Sequence, residues 1–394
     1  MKLVVVSHKL CWQISGSPNS FATDGGFPLQ MQAISELFDE TKIVVPCRTA
    51  ENADGLTALS GHNLQIIGLS EPVGVDFRRK LNIPLWFATN GWKIWREVRS
   101  ADAVHAPVPG DVGTIGLLFA LMLRKPLFVR HCGNWLVQRT AAEHFWRWVM
   151  EKFAGGRNVM LATGGTNEVP SRKNPHVKWI FSTSLRRQEL AVAEPRELPA
   201  DLRFKMIIAC RQEQGKGGDT VIKSLPLVLE KFPNATLDVV GGGSFLGELK
   251  ELAKQLKVAE KTTFYGKLPQ SEVVALMRRA HVFCFPTEAS EGFPKVVLEA
   301  LGSGLPVVTT KVSVLPKLIG AGGGGVLLDA PTPEKLAAAI AQIFANPDEY
   351  RETSMSAIAN ARQYSLENWR DVIGENLRRA WNVPSLSSIS QNLD

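Results

Sequence analysis

Nowhere in the 394 residues is there an unbroken apolar run of about 18 residues, the length a membrane-crossing helix needs. The opening stretch, MKLVVVSHKL, stays apolar for only four residues, Leu3–Val6, before Ser7 and His8. That is too short for the core of a signal peptide and reads instead as a first buried strand. Cysteine is scarce and unpatterned. The five residues (Cys11, Cys47, Cys132, Cys210, Cys284) are odd in number and never stand at metal-binding spacing, and Cys210 and Cys284 fall inside apolar, strand-like runs. A disulfide framework is therefore excluded, and free buried thiols in a reducing, cytoplasmic compartment are expected. Long basic tracts are missing as well: no run of five Lys or Arg occurs, which speaks against nucleic acid as a partner.

What is present is ordinary globular composition, with 45% apolar and 21% charged residues over a length that predicts two domains. The net charge of +7 is unevenly placed. Residues 1–187 hold 22 Lys and Arg against 14 Asp and Glu, whereas residues 188–394 hold 23 against 24. An anionic surface or substrate for the first half is one reading, and plain solubility is the other.

Short apolar runs alternate with helical patterns along most of the chain. KLVVV, KIVVP, PLFVR, VMLAT, KMIIAC, TLDVVGGG, VFCFP and PVVTT are separated by segments such as FPLQMQAISELFDE, GELKELAKQLK and SEVVALMRRA. Continuous apolar strands with intervening helices predict an α/β fold with parallel sheets covered on both faces. The rhythm breaks at Ser182–Asp201, with its two prolines, four acids and no clear period, which reads as an interdomain linker. The expected division is 1–185 and 202–369. The amphipathic tail, with Trp369, Val372, Ile373, Leu377 and Trp381 at helical spacing, packs on either domain, so that 370–394 could complete the first. Two doubly wound sheets are expected to face a central cleft with their strand carboxyl ends, the usual ligand site of open parallel sheets.

One segment concentrates chemistry: HVFCFPTEASEGFPKVVLEALGSGLPVV, from His281 to Val308. A helix read from Phe293 carries an apolar stripe of Phe293, Val296, Val297, Ala300 and Leu301, with Pro294 in its first turn. Periodicity then puts Glu299 on the opposite, solvated side near Lys295, and Glu291 is an acid favourably placed before a helix start. Either both carboxylates decorate a surface, or a hydroxyl-rich anion binds between them.

The Glu-x7-Glu spacing, the Phe-Pro at the turn and the EALGSGLPVV continuation resemble the donor site of the family 4 glycosyltransferases. CRQEQGKGGDTVIKSLPLVLEKFP resembles that family's Arg-x4-Lys-Gly element, with Arg211 and Lys216 in the matching places, and LDVVGGGS and TTFYGKLPQSEVVALMRRAHVFCFPT follow in the family's order. The similarity runs from about Lys205 to Leu328. It implies a retaining enzyme of the GT-B fold that moves a hexosyl unit from a UDP-, GDP- or ADP-sugar to a hydroxyl of a glycan, lipid-linked or small-molecule acceptor. It implies an acceptor-binding first domain, a donor-binding second domain, no cofactor and a metal-free phosphate site; no Asp-x-Asp sequence offers a metal one. Arg211 and Lys216 would hold the diphosphate, Glu299 the ribose hydroxyls, and Glu291 the donor sugar. Gly292, Phe293, Pro294 and Lys295 would line the helix start, with the base against the turn Gly266–Leu268. Pro294, lacking an N–H, leaves the amides of Phe293 and Lys295 to serve the phosphate.

The first domain resembles the family more weakly. Gly25 and Gly26 open a helix after the first strand, either as a plain turn or as a place for phosphate or sugar to approach the backbone. His131 follows a strand where the family often has a histidine reaching the donor sugar, and a structural role is the alternative. WFATNGWKIWREVRS and EHFWRWVMEKF are rich in Trp and basic residues. They read as core-facing helical positions, or as an acceptor groove or contact with the anionic inner membrane face; Trp146 and Trp148 flanking Arg147 come first for that contact, Arg78, Arg79 and Lys80 second. Two rivals stand beside the transferase: a non-catalytic nucleotide-sugar binder, and a sugar phosphorylase of similar fold, which would need pyridoxal phosphate.

Overall fold

The computed structural model describes the chain apart from residues 17–19, 52, 54, 73, 75, 139, 167, 200–202, 290–291, 321–322 and 387–394, and apart from the side chains of 76–81. The chain divides into two compact units. The first comprises Met1–Gly164, Glu168–Ser184 and Leu366–Asp394; the second comprises Leu185–Ser365 and the short piece Gly165–Asn167.

The first unit runs β1 (Lys2–Val6), β2 (Cys11–Ile14), β3 (Phe21–Thr23), α1 (Phe27–Ser35), β4 (Glu40–Ala50), β5 (Thr57–Ala58), β6 (Leu64–Leu69), α2 (Asp76–Ser100), β7 (Ala103–Val108), α3 (Asp111–Met122), β8 (Leu127–His131), α4 (Ala141–Phe153), β9 (Asn158–Thr163) and β10 (Val177–Ile180). Its sheet has the order β10-β9-β8-β7-β1-β4-β2-β3-β5, with β6 also paired to β4. The central strands are buried and mostly apolar, as strands covered on both faces tend to be, with His105 of β7 and Arg130 and His131 of β8 as the buried polar exceptions. One face is packed by Trp86, Ile94 and Val98 of α2, Val112 and Leu117 of α3, and Trp146, Val149 and Met150 of α4. The other is packed by Met31 and Ile34 of α1 and by Trp369, Ile373, Leu377 and Trp381 of the final helix. The start of α4 is fixed by a reciprocal cap: Thr140 Oγ1 accepts from the Glu143 N–H at 3.2 Å, and Glu143 Oε2 accepts from the Thr140 N–H at 2.9 Å.

The second unit runs α5 (Arg187–Ala191), β11 (Lys205–Ala209), α6 (Gly218–Lys231), β12 (Thr236–Val240), α7 (Leu246–Gln255), β13 (Thr262–Gly266), α8 (Gln270–Met277), β14 (Val282–Phe285), α9 (Lys295–Gly302), β15 (Val307–Thr310), α10 (Leu315–Gly320), β16 (Gly325–Leu328), α11 (Pro333–Ile343) and α12 (Pro347–Arg362); α13 (Leu366–Trp381) then joins the first unit. All six strands are parallel in the order β13-β12-β11-β14-β15-β16, the doubly wound nucleotide-binding arrangement. The stretch that lacks sequence period, Ser182–Asp201, contains the five-residue α5, pinned by buried Leu185 and Leu190. Between β1 and the Gly25-Gly26 pair lie β2 and β3, an antiparallel pair that the sequence pattern does not announce.

Candidate functional site

In the second unit β11 and β14 are neighbours, with Met206 beside Val282 and Ile207 beside Phe283, and here the strand order reverses. Loops leaving the carboxyl ends of such strands diverge and make room for a ligand. The loop after β11 carries Arg211 and Lys216, and the loop after β14 carries Gly292, Phe293 and Pro294. The two loops are tied together. The backbone N–H groups of Glu288 and Ala289 donate to the Gly215 carbonyl at 2.9 and 3.2 Å, and Thr287 Oγ1 donates to it at 3.3 Å. Gly217, at the start of α6, has a left-handed φ of +88°, and a Cβ there would lie 2.7 Å from the Pro286 carbonyl oxygen. Only glycine allows so close an approach in that conformation.

Arg211 is exposed, with Nη1 3.5 Å from Glu213 Oε1, and Lys216 is half-buried. Glu291 lies outside the described residues. Helix α9 starts at Lys295, not Phe293, so its N-cap residue is Pro294, whose side chain makes no cap hydrogen bond. A helix start without a side-chain cap presents backbone N–H groups and the positive end of the dipole. The Phe293 ring stands 6.0 Å from that of Tyr364.

Glu299 is the main departure from the periodic reading. It is only 8% exposed, and every residue from Val297 to Leu301 is buried. Helix α9 packs against α8, α12, β14 and β15, so it is covered on more sides than one stripe describes. The carboxylate is provided for: Glu299 Oε1 accepts a hydrogen bond from Gln270 Nε2 at 2.6 Å. Gln270 opens α8, two residues beyond the turn holding Gly266 and Leu268; Gly266 has a φ of +68° and accepts from the Gly241 N–H at 2.7 Å. Sequence reasoning overlooked Gln270, whose one signal is a polar residue at a helix start beside that turn. It also overlooked Gln212, 1% exposed, whose Nε2 donates to the carbonyls of Cys210 (3.2 Å) and Val240 (2.9 Å) and so braces the Arg211 loop.

The first unit holds the other sequence-predicted residues. Gly25 takes a φ of +71° with open space where a Cβ would sit, and Gly26 precedes α1 as its N-cap residue. Next to them Asp24 is ion-paired with Lys9. His131 ends β8 and is 1% exposed, its ring edge-on to Trp135 at 5.3 Å and neither ring nitrogen paired among the described residues. Burial pushes its pKa down to about 4, so it is neutral near pH 7.

The Trp-rich helices split. Trp86, Trp135 and Trp146 are buried, whereas Trp92 is 69% and Trp148 54% exposed. Arg147 is turned inward, its guanidinium 5.2 Å from the Trp135 ring and its Nε 3.2 Å from Glu151. Leu85, Leu118, Met122 and Phe145 are also exposed, on the three helices that cover one sheet face. No described carboxylate on α2, α3 or α4 is exposed, whereas Lys93, Arg96, Arg99 and Lys152 are. The side chains of Arg78, Arg79 and Lys80 lie outside the described residues. Cysteine exposure is mixed: Cys11 and Cys284 are buried, Cys47 and Cys210 half-buried, Cys132 exposed, and all five are free. Among the described residues, no group of three or more His, Cys, Asp or Glu is arranged to hold a metal ion, and no helix is long and apolar enough to cross a membrane.

Two Rossmann-like α/β units of this kind make the GT-B fold. The chain superposes on Anabaena HepE in complex with UDP (TM-score 0.70, 17% identity, covering 96% of this chain and 100% of that one). It superposes equally on sucrose-phosphate synthase from Thermosynechococcus elongatus (TM-score 0.70, 16% identity, 97% and 99%). Residues 194–364 match the family model of the glycosyl transferases group 1. Over 161 residues the chain is 31% identical to a GDP-mannose-dependent α-(1-6)-phosphatidylinositol monomannoside mannosyltransferase of Mycolicibacterium smegmatis, covering 39% of this chain and 41% of the relative. Over 165 residues it is 30% identical to a D-inositol 3-phosphate glycosyltransferase of Corynebacterium urealyticum, covering 40% and 39%. The chain thus spans about two-fifths of the length of these curated relatives.

Proposed function

We propose that the protein is a retaining glycosyltransferase that passes a hexosyl unit from a nucleoside-diphosphate sugar to a hydroxyl acceptor without a metal ion. The observation that carries this is the set of loops at the strand-order reversal of the second unit: the Arg211–Lys216 loop bonded to 287–289, the start of α9 behind Pro294, and the buried Glu299 held by Gln270. Guanidinium, ammonium and backbone N–H groups suit a diphosphate, which gains negative charge as its bond to the sugar breaks. A buried carboxylate suits the paired hydroxyls of a ribose. Glu291 serves the donor sugar, and His131 acts as a neutral donor or acceptor to it, with Gly25 and Gly26 letting the ligand approach the backbone. In the reaction the bond from the anomeric carbon to the diphosphate oxygen breaks, the bond to the acceptor oxygen forms, and the acceptor proton passes to the departing diphosphate.

The experiment is a thermal-shift panel of UDP-, GDP- and ADP-sugars, followed by nucleoside-diphosphate release with glycan and lipid-linked acceptors. Stabilisation by one donor and acceptor-dependent release are expected. Stabilisation without release under any acceptor makes the protein a binder, and a pyridoxal absorbance band in the purified protein makes it a phosphorylase.

A lipid-linked acceptor at an anionic membrane is the reading favoured by the outer side of α2–α4. Leu85, Trp92, Arg96 and Arg99 share one helical face, as do Phe145, Trp148 and Lys152, so exposed apolar groups and basic side chains occupy the same surface, although Arg96 is paired with Glu97 at 3.0 Å.

A further inference from the structure

Glu299 and Gln270 come from different helices and meet at 2.6 Å, one of them 8% exposed. We infer that Gln270 is a positioning residue: it orients the Glu299 carboxylate for the ribose hydroxyls, coupling ribose recognition to the Gly266–Leu268 turn. The inference rests on the nucleotide-sugar reading above and assigns Gln270 a role within it.

The chemistry follows from what a buried carboxylate needs. Taken out of water, it drifts toward the protonated form unless N–H donors stabilise its charge. A primary amide supplies such a donor with no charge of its own, so it holds the carboxylate without pairing it off, and a lysine there would compete for the same lone pairs as the ligand. A carboxylate oxygen accepts more than one hydrogen bond, so the donation from Gln270 leaves the group able to take ribose O–H donors. Geometry adds the second half. Gln270 is the first residue of α8 and is separated from Gly266–Leu268 only by Pro269. Any shift of that turn therefore moves the amide, and with it the carboxylate.

The test is a double-mutant cycle read by titration calorimetry with UDP, GDP and ADP and their 2′,3′-dideoxy counterparts. In the wild type the ribonucleotide of the preferred base binds more tightly than its dideoxy form. Gln270→Ala is expected to weaken the ribonucleotide about tenfold, the size of one hydrogen bond to a charged group, and to leave the dideoxy form unchanged. In the Glu299→Ala background Gln270→Ala has no further effect. Equal weakening of ribo and dideoxy ligands, or a loss that persists without Glu299, overturns the positioning role. Gln270→Asn, whose amide is one methylene too short to keep the contact, serves if the alanine variant fails to fold. Wild-type protein that binds none of the nucleotides overturns the nucleotide-sugar reading and this inference with it. Wild-type discrimination between ribose and dideoxyribose that is unchanged in the variants overturns this inference alone.

Discussion

Replacing Trp148 by Ala tests the membrane-facing reading at the most exposed of the large apolar residues of α4. A tryptophan carries up to about 250 Å² of contact surface, and 54% exposure leaves roughly 130 Å² facing outward. At about 25 cal/mol per Å², sinking that surface into the headgroup boundary contributes roughly 3 kcal/mol, an upper figure because an interfacial ring is not fully dehydrated. Neighbouring basic residues add about 1 kcal/mol each against anionic lipid, a contribution that fades as salt shortens the Debye length. The assay is co-sedimentation with anionic and with neutral vesicles at low and high salt. Wild-type protein should pellet with anionic vesicles at low salt and be released at high salt. Trp148→Ala should weaken the partition constant by one to two orders of magnitude with no change in unfolding temperature, since the ring contributes little to the core. Equal pelleting on both vesicle types, none on either, or a variant indistinguishable from wild type refutes the reasoning and leaves the positive charge as a matter of solubility.

Turnover should survive EDTA, because Arg211, Lys216 and the start of α9 are proposed to carry the phosphate charge; loss of activity that magnesium or manganese restores would remove that proposal. Gly241→Ala should cost about 3 kcal/mol or more, or prevent folding, because a Cβ at its φ of +119° would lie 1.8 Å from the Cys210 carbonyl oxygen. Gly247→Ala in α7, with open space around it, should instead gain up to about 1 kcal/mol, and chemical denaturation compares the two. Acid should destabilise the fold through His131. Its pKa falls from the ordinary 6.5 to about 4 by burial, so between those values the unfolded chain binds a proton that the folded chain refuses. Stability is then lost as pH drops through that window, by about 3 kcal/mol at most, and His131→Gln should flatten the slope of unfolding free energy against pH.

The sequence makes the second unit easy to read. KMIIAC, TLDVV, VFCFP and PVVTT became β11, β12, β14 and β15, because strands buried on both faces are apolar at most positions, with Asp238, Thr309 and Thr310 the buried exceptions here. The helices GELKELAKQLK and SEVVALMRRA appear as α7 and α8 because each has one covered side. Helix α9 misleads for the opposite reason. A stripe argument assumes one covered side, and α9 has several, so Glu299 looks solvated by spacing and is buried by packing. The Trp-rich segments resist a single reading on similar grounds: Trp146 and Trp148, two positions apart on a helix, must point to different sides, and one is core while the other is surface. Gln270 carries only the faint signal of a polar residue at a helix start, since its importance comes from a partner 29 positions away.

The last helix has a consequence for how the chain matures on the ribosome. Trp369, Ile373, Leu377 and Trp381 belong to the core of the first unit, and the Arg130 guanidinium, buried in β8, lies 4.9 Å from the Trp369 ring. During synthesis the strands of that unit emerge long before α13, while the stretch from Leu185 to Ser365 emerges without interruption. The second unit can therefore close its core first. The first must wait, with the apolar side of α1 uncovered and a buried-to-be cation lacking its ring, until the final turns are made. A nascent chain stalled before Leu366 would display that uncovered surface, and it is there that a chaperone has something to hold.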